Sequence, residues 1–194
     1  MTAADVATNG LSELWGICAY FNPLVFERRL ANFRAFRRHL AIPLVTVEYG
    51  YQGRFDLGDD DADSVIHCAG DDILWQRERL LNVALGALPD SCQYVARLDG
   101  YVVFADPHWH LSARDGLTRH NFVQLFSKAY DLPAEAIESP SRHFEQTPSW
   151  EGFAAAWQAD ENAGLLDRRI QPRGRRSTSA MGLGWAFRRD LHEG

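Results

Sequence analysis

Several stretches of the chain carry side chains whose types and spacing can do chemistry. In Gln93–Trp109 the β-prone run Tyr94–Leu98 ends at Asp99, followed by Gly100, the apolar run Tyr101–Phe104 and Asp106-Pro107. Ligands collect outside the carboxyl ends of strands in an open α/β sheet, so a carboxylate there is placed to hold a metal ion or a sugar hydroxyl. Asp-Gly is also a hairpin signal, and a plain turn between two strands is the competing reading. The second stretch is Gln76-Arg77-Glu78-Arg79-Leu80-Leu81-Asn82. Alternating charges on a helix usually form a solvated face. Arg77, however, falls in a first helical turn at a sheet edge, where a guanidinium can reach a diphosphate, and Asn82 can hydrogen-bond backbone across a site.

Other groupings are weaker. Asp59, Asp60, Asp61 and Asp63 lack EF-hand spacing and follow Gly58, which reads as a solvated turn. His108 and His110 flank Trp109 close after Asp106, but no third ligand accompanies them, so a surface turn competes with a metal pair. Arg173, Arg175 and Arg176 form a basic loop that could neutralise a diphosphate or be solvated. Trp150 and Trp157 could stack on a sugar, although aromatics in a weak helix are more often core.

The elements that must position these residues follow from the apolar patterning. Leu14–Phe21 is almost continuously apolar, as in a strand covered on both faces, and Asn22-Pro23 stops it. Leu24–Leu40 has helical spacing at Phe26, Leu30, Phe33, Phe36 and Leu40, with arginines between. Strands are predicted at Ile42–Glu48, Ser64–Cys68, Tyr94–Leu98 with Tyr101–Phe104 as a continuation, Asn121–Phe126 and Met181–Phe187. Helices are predicted at Leu74–Leu88, capped by Asp71-Asp72, at Trp109–Arg119, and around Trp150–Asp160. Strand and helix alternating in this way predict a mostly parallel sheet with right-handed crossovers.

At 194 residues and 46% hydrophobic content the chain is expected to build one α/β domain over residues 13–194 behind a frayed 1–12 end. A net charge of -6 argues against a nucleic-acid partner. No apolar run reaches the roughly 18 residues of a transmembrane segment and no signal pattern opens the chain, so a cytoplasmic location is expected. Cys18, Cys68 and Cys92 have no CxxC spacing and read as buried free thiols.

Taken as an ordered set, these motifs resemble the nucleotide-sugar-dependent glycosyltransferases of the GT-A fold, particularly galactosyltransferase-like members. The likeness runs through Phe21-Asn22-Pro23 at the end of the first strand, Val47-Glu48-Tyr49 at the end of the second, Trp75–Val83 on the helix, and Leu98-Asp99-Gly100-Tyr101 where that family has its DxD motif. It resumes at Gly182–Leu191. The resemblance implies a Rossmann-like three-layer sandwich with a mostly parallel central sheet and helices on both faces. It further implies binding of a nucleoside diphosphate sugar, UDP-linked in most such enzymes, usually with Mn²⁺ or Mg²⁺, and sugar transfer to a hydroxyl of a glycan or small-molecule acceptor. By position it assigns Phe21, Asn22 and Glu48 to base and ribose, Arg77 to base or phosphate, and Asp99 to ribose, sugar or metal.

Two departures stand out. Tyr101 occupies the place of the last Asp of DxD, and a neutral phenol is a poor ligand for a hard cation. No counterpart of the family's acceptor-side acidic segment appears before Gly194, so the chain looks shortened and the usual catalytic base has no candidate. A catalytically inactive nucleotide-sugar-binding or protein-interaction module that keeps the fold is therefore the alternative expectation. A nucleotidyltransferase with a related sheet would need a Gly-rich phosphate loop after the first strand, and Phe21-Asn22-Pro23 is not one.

Overall fold

Apolar strands buried on both faces require helices on both faces, and the chain supplies them in alternation. The computed structural model describes residues 13–133, 136, 148–159, 179–180 and 182–192. In chain order these form β1 (Leu14–Phe21), α1 (Glu27–His39), β2 (Leu44–Tyr51), β3 (Ser64–Gly70), α2 (Arg77–Gly86), β4 (Tyr94–Leu98) and α3 (Trp109–Arg119). There follow β5 (Phe122–Gln124), β6 (Lys128–Tyr130), β7 (Ser149–Gly152), α4 (Phe153–Ala159), β8 (Ser179–Ala180) and β9 (Gly184–Arg188). The main sheet has six strands in the order β3-β2-β1-β4-β9-β5, and a smaller sheet pairs β6, β7 and β8. β3, β2, β1 and β4 run parallel, while β9 is antiparallel to both β4 and β5. The architecture is thus the expected α/β layering with a mostly parallel central sheet.

Side-chain alternation sorts the core into two halves. Ile17, Val45 and Val95 pack under α2 against Leu80, Leu81, Ala84 and Leu85. Their chain neighbours Cys18, Leu44 and Ala96 face the other way, against Phe33 and Phe36 of α1 and Ala113 and Leu117 of α3. Since α1 and α2 cover opposite faces, the chain winds outward from β1 to β2 and β3, then returns to pair β4 with the other side of β1. The carboxyl ends of β1 and β4 therefore border the point where strand order reverses, which is where open α/β sheets leave a crevice.

Several boundaries differ from the sequence reading. α1 begins at Glu27, not Leu24, because Asn22 turns the chain: its side-chain oxygen accepts from the Phe26 N–H at 3.0 Å, and Val25 sits at φ 56°. α2 begins at Arg77, not Leu74; Trp75 is drawn off the helix to stack on Phe21, with centroids 5.5 Å apart and planes 4° apart. Tyr101–Phe104 is not a strand. The β4–β9 ladder ends at Leu98 opposite Gly184, and the Tyr101 and Val102 N–H groups turn back onto the Asp99 carbonyl at 2.7 and 3.1 Å. Of the helix expected around Trp150–Asp160, the first residues, Trp150–Gly152, instead belong to β7 ahead of α4. The three cysteines are free, Cys18 and Cys92 buried and Cys68 half-buried. The expectations for residues 1–12, for Arg173, Arg175 and Arg176, and for the Trp157 side chain fall outside the described residues.

Gly100 is held by close packing. A Cβ built there would lie 2.9 Å from the Phe33 ring and 3.1 Å from the Cys18 sulfur. Gly100→Ala is therefore expected to destabilise the fold by about 1–3 kcal/mol, the usual cost of overpacking a close-packed interior. Urea denaturation of the two proteins measures it, and unchanged midpoints would mean that the 99–102 turn yields freely.

Candidate functional site at the mouth of the parallel sheet

Asp99 is the first residue past β4, and three donors converge on its carboxylate. Arg77, at the start of α2, ion-pairs with Oδ1; the Tyr101 hydroxyl and the Leu183 N–H donate to Oδ2 at 3.2 and 3.3 Å. The Asp99 N–H in turn donates to the Leu183 carbonyl at 2.9 Å. Leu183, with φ 73°, comes from the chain just before β9, so the site joins elements far apart in sequence. Although the Tyr101 side chain as a whole is exposed, its hydroxyl is pushed up to about 12, first by desolvation and then by the Asp99 charge, with Arg77 and Arg29 opposing. It is a neutral donor at physiological pH. Beneath the turn, burial pushes the Cys18 thiol up to about 12 with Asp99 adding to it, so Cys18 is a buried thiol and not a nucleophile.

The neighbouring strand end is aromatic. Phe21 lies between Trp75 and Tyr49, the latter 5.3 Å away and tilted. The Phe21 carbonyl accepts from Arg29 of α1 at 2.7 Å, which fixes that guanidinium over the end of β1. Asn22 and Glu48 face inward. The Asn22 amide donates to Asp56 at 2.7 Å. Glu48, 2% exposed, accepts from the Asp56 and Leu57 N–H groups at 2.7 and 3.0 Å and lies 3.3 Å from His67. Burial raises the Glu48 pKa, and the two backbone donors partly offset that. Both residues hold the loop after β2 in place. Asn82 lies on the exposed side of α2. Of the seven residues singled out from the sequence, the structure brings Arg77, Asp99 and Tyr101 into contact and sets Phe21 at the adjoining strand end. It turns Asn22 and Glu48 into a loop and Asn82 to solvent.

Trp75, Arg29 and Leu183 were missed. Trp75 falls inside the predicted Leu74–Leu88 helix and Arg29 among the arginines of an amphipathic one; nothing in the spacing points Leu183 at Asp99, because only the return of β9 brings it there.

The donor set does not fit a resident Mn²⁺ or Mg²⁺. Among the described residues no three His, Cys, Asp or Glu side chains group to hold a metal, and the Asp99 carboxylate is already engaged by a cation. Asp61 and Asp63 of the acidic cluster pair with Arg34 and Arg37, each at 2.9 Å. Asp106 accepts from the His108 N–H at 2.8 Å, and the His108 and His110 rings stand 6.3 Å apart.

On the α1 and α3 side of Asp99 a cavity of about 940 Å³ opens, walled by the segment after β4 and by the chain from Val123 to Pro133. No protein-family model and no curated protein matches the chain. Among solved structures it is similar to the crystal structure of 4-diphosphocytidyl-2C-methyl-D-erythritolsynthase from Anaerococcus prevotii, at 14% sequence identity and a TM-score of 0.45, covering 92% of this chain and 72% of that one. A likeness of that size carries no functional argument. No helix among the described residues is long and apolar enough to cross a membrane.

The coupling of Tyr101 to Asp99 gives a direct test. Asp99→Asn removes the negative charge that disfavours the phenolate while leaving the burial, so the Tyr101 pKa should fall part of the way from about 12 toward the ordinary 10. Spectrophotometric titration at the tyrosinate band, with Tyr101→Phe identifying the transition, measures this. An unmoved transition would mean that the carboxylate does not govern the hydroxyl.

Proposed function

We propose that the chain binds a nucleoside diphosphate sugar across the crevice between β1 and β4 and transfers the sugar to an acceptor hydroxyl. The reading is carried by the Arg77–Asp99–Tyr101 cluster, which stands at the reversal of strand order with a cavity of acceptor size beside it. Trp75, exposed and stacked on the buried Phe21, and the half-buried Tyr49 offer aromatic surface for a base, and Arg77 and Arg29 are both close enough to the Tyr101 hydroxyl to act on it. A diphosphate entering there competes with Asp99 for Arg77, whose planar fork suits two phosphate oxygens. In the transfer, the acceptor oxygen bonds to C1 of the sugar as the C1–O bond to the diphosphate breaks. The diphosphate leaves with the electron pair, and the acceptor's hydroxyl proton passes to solvent. Arg77 and Arg29 meet the growing charge on the leaving group, and the Tyr101 phenol supplies a hydrogen bond.

A second reading, binding without transfer, is favoured by one observation. With three donors on it, the Asp99 carboxylate is poorly placed to accept a proton.

Isothermal titration of UDP, with and without Mn²⁺, tests the shared part of both readings. Wild type should bind, and Arg77→Ala should weaken binding by about tenfold or more, the loss expected of one charge-assisted contact. No UDP binding by folded wild type would overturn the proposal. Release of UDP from UDP-sugar on adding an acceptor separates transfer from binding alone.

A further inference from the structure

The walls of the cavity beside Asp99 are segregated by polarity. Apart from Asp99, which is enclosed and paired with Arg77, the charged side chains that border it, Arg28, Asp106, Lys128 and Asp131, are all exposed. Its interior is formed by half-buried apolar residues, Val102, Val103 and Phe104 on one side, and Val123, Leu125 and Phe126 on the other. Trp150 and Tyr130 add aromatic surface, and Phe104 is itself stacked on the buried Trp109 with centroids 4.1 Å apart. Of the interior polar side chains, Gln124 already accepts from the Ala154 N–H at 2.7 Å, which leaves Asn32 as the other amide on the wall. The exposed charges are two cations and two carboxylates, and Asp99 is neutralised by Arg77, so the cavity shows no preference for a charged ligand.

These features disfavour a free hexose. A sugar ring presents a hydroxyl on nearly every carbon, and each would be desolvated against valine, leucine or phenylalanine with few partners to replace water. They favour a body that shares the walls' character, because removing apolar surface from water on both sides is the main gain available. A volume of about 940 Å³ is at the upper end of the range for small-molecule pockets.

We infer that the cavity binds a neutral acceptor built on an aromatic ring system, its hydroxyl turned to the Asp99 end and its rings against the Val103 and Phe126 walls. The role of acceptor rests on the proposed nucleotide-sugar function; the ligand class rests on the cavity alone.

The test uses 2-naphthalenemethanol as the aryl alcohol and methyl β-glucoside as the sugar, titrated into the whole chain and followed by calorimetry, with UDP titrated separately. The aryl alcohol should bind at least about tenfold more tightly than the glycoside, since apolar pockets discriminate by roughly that factor for small changes of ligand. Val103→Asp should weaken the aryl alcohol by about tenfold or more, and Phe126→Ala, a milder change, should weaken it measurably if the first variant fails to fold. Equal or tighter binding of the glycoside, or unchanged aryl-alcohol affinity in a folded variant, overturns the inference. Aryl-alcohol binding without UDP binding would uphold the ligand class and remove the nucleotide-sugar function.

Discussion

The pairing of Arg77 with Asp99 is the constraint on which the site depends. Asp99 must sit where β4 stops, because the strand end is the fixed point from which the 99–106 segment departs. Its side chain is 14% exposed, and enclosing a carboxylate to that degree is costly unless an opposite charge or dedicated donors compensate for the lost water. Arg77 supplies the charge from across the crevice, while Leu183 and Tyr101 supply donors. The cluster thereby stitches three pieces of the fold at one place: the start of α2, the end of β4 and the approach to β9.

That stitching works because the sheet is doubly wound. If α1 and α2 lay on one face, the ends of β1 and β4 would be roofed over and Arg77 could not approach Asp99 from the opposite side to the cavity. The alternation of Ile17 with Cys18, of Val45 with Leu44 and of Val95 with Ala96 sends neighbouring side chains into two separate cores, and each core recruits its own helix. The crevice is a consequence of packing both faces of one sheet. Glu48, within β2, and Asn22, just past β1, are buried polar groups that serve the same arrangement. They satisfy the backbone of the loops that border the crevice, which apolar side chains in their places would leave unpaired.

The sequence was most legible where periodicity and burial agree. Trp109–Arg119 matches α3, Tyr94–Leu98 matches β4, and the continuous apolar run of β1 announced a strand covered on both faces. Boundaries shifted where side chains had a better use outside the regular element, as with Trp75 on Phe21 and Asn22 on the Phe26 N–H. The contact of Arg77 with Asp99 was foreshadowed by helix start and strand end. The roles of Arg29 and Asn82 were not: both lie on exposed helix faces, and what distinguishes Arg29 is its guanidinium turning back onto the Phe21 carbonyl, a long-side-chain contact that spacing does not resolve. The cavity was wholly hidden, because its walls come from segments without regular periodicity, brought together by β5, β6 and β9.

The identity of residue 101 follows from the charge balance that this geometry sets. An aspartate there, two residues after Asp99 and with Arg77 as the partner of the first carboxylate, would place a second negative charge at a site with one cation in contact. Two adjacent carboxylates in a half-buried place hold their charge only with further positive charge, which a divalent ion would provide. Tyrosine removes that requirement. Its hydroxyl keeps its proton because burial and Asp99 both disfavour the phenolate, so it donates where a second carboxylate could only accept. Arg77, Asp99 and Tyr101 together are then neutral. An incoming anion is met by a guanidinium that must leave a carboxylate to bind it, and so by a site that exchanges one ion pair for another without adding a cation.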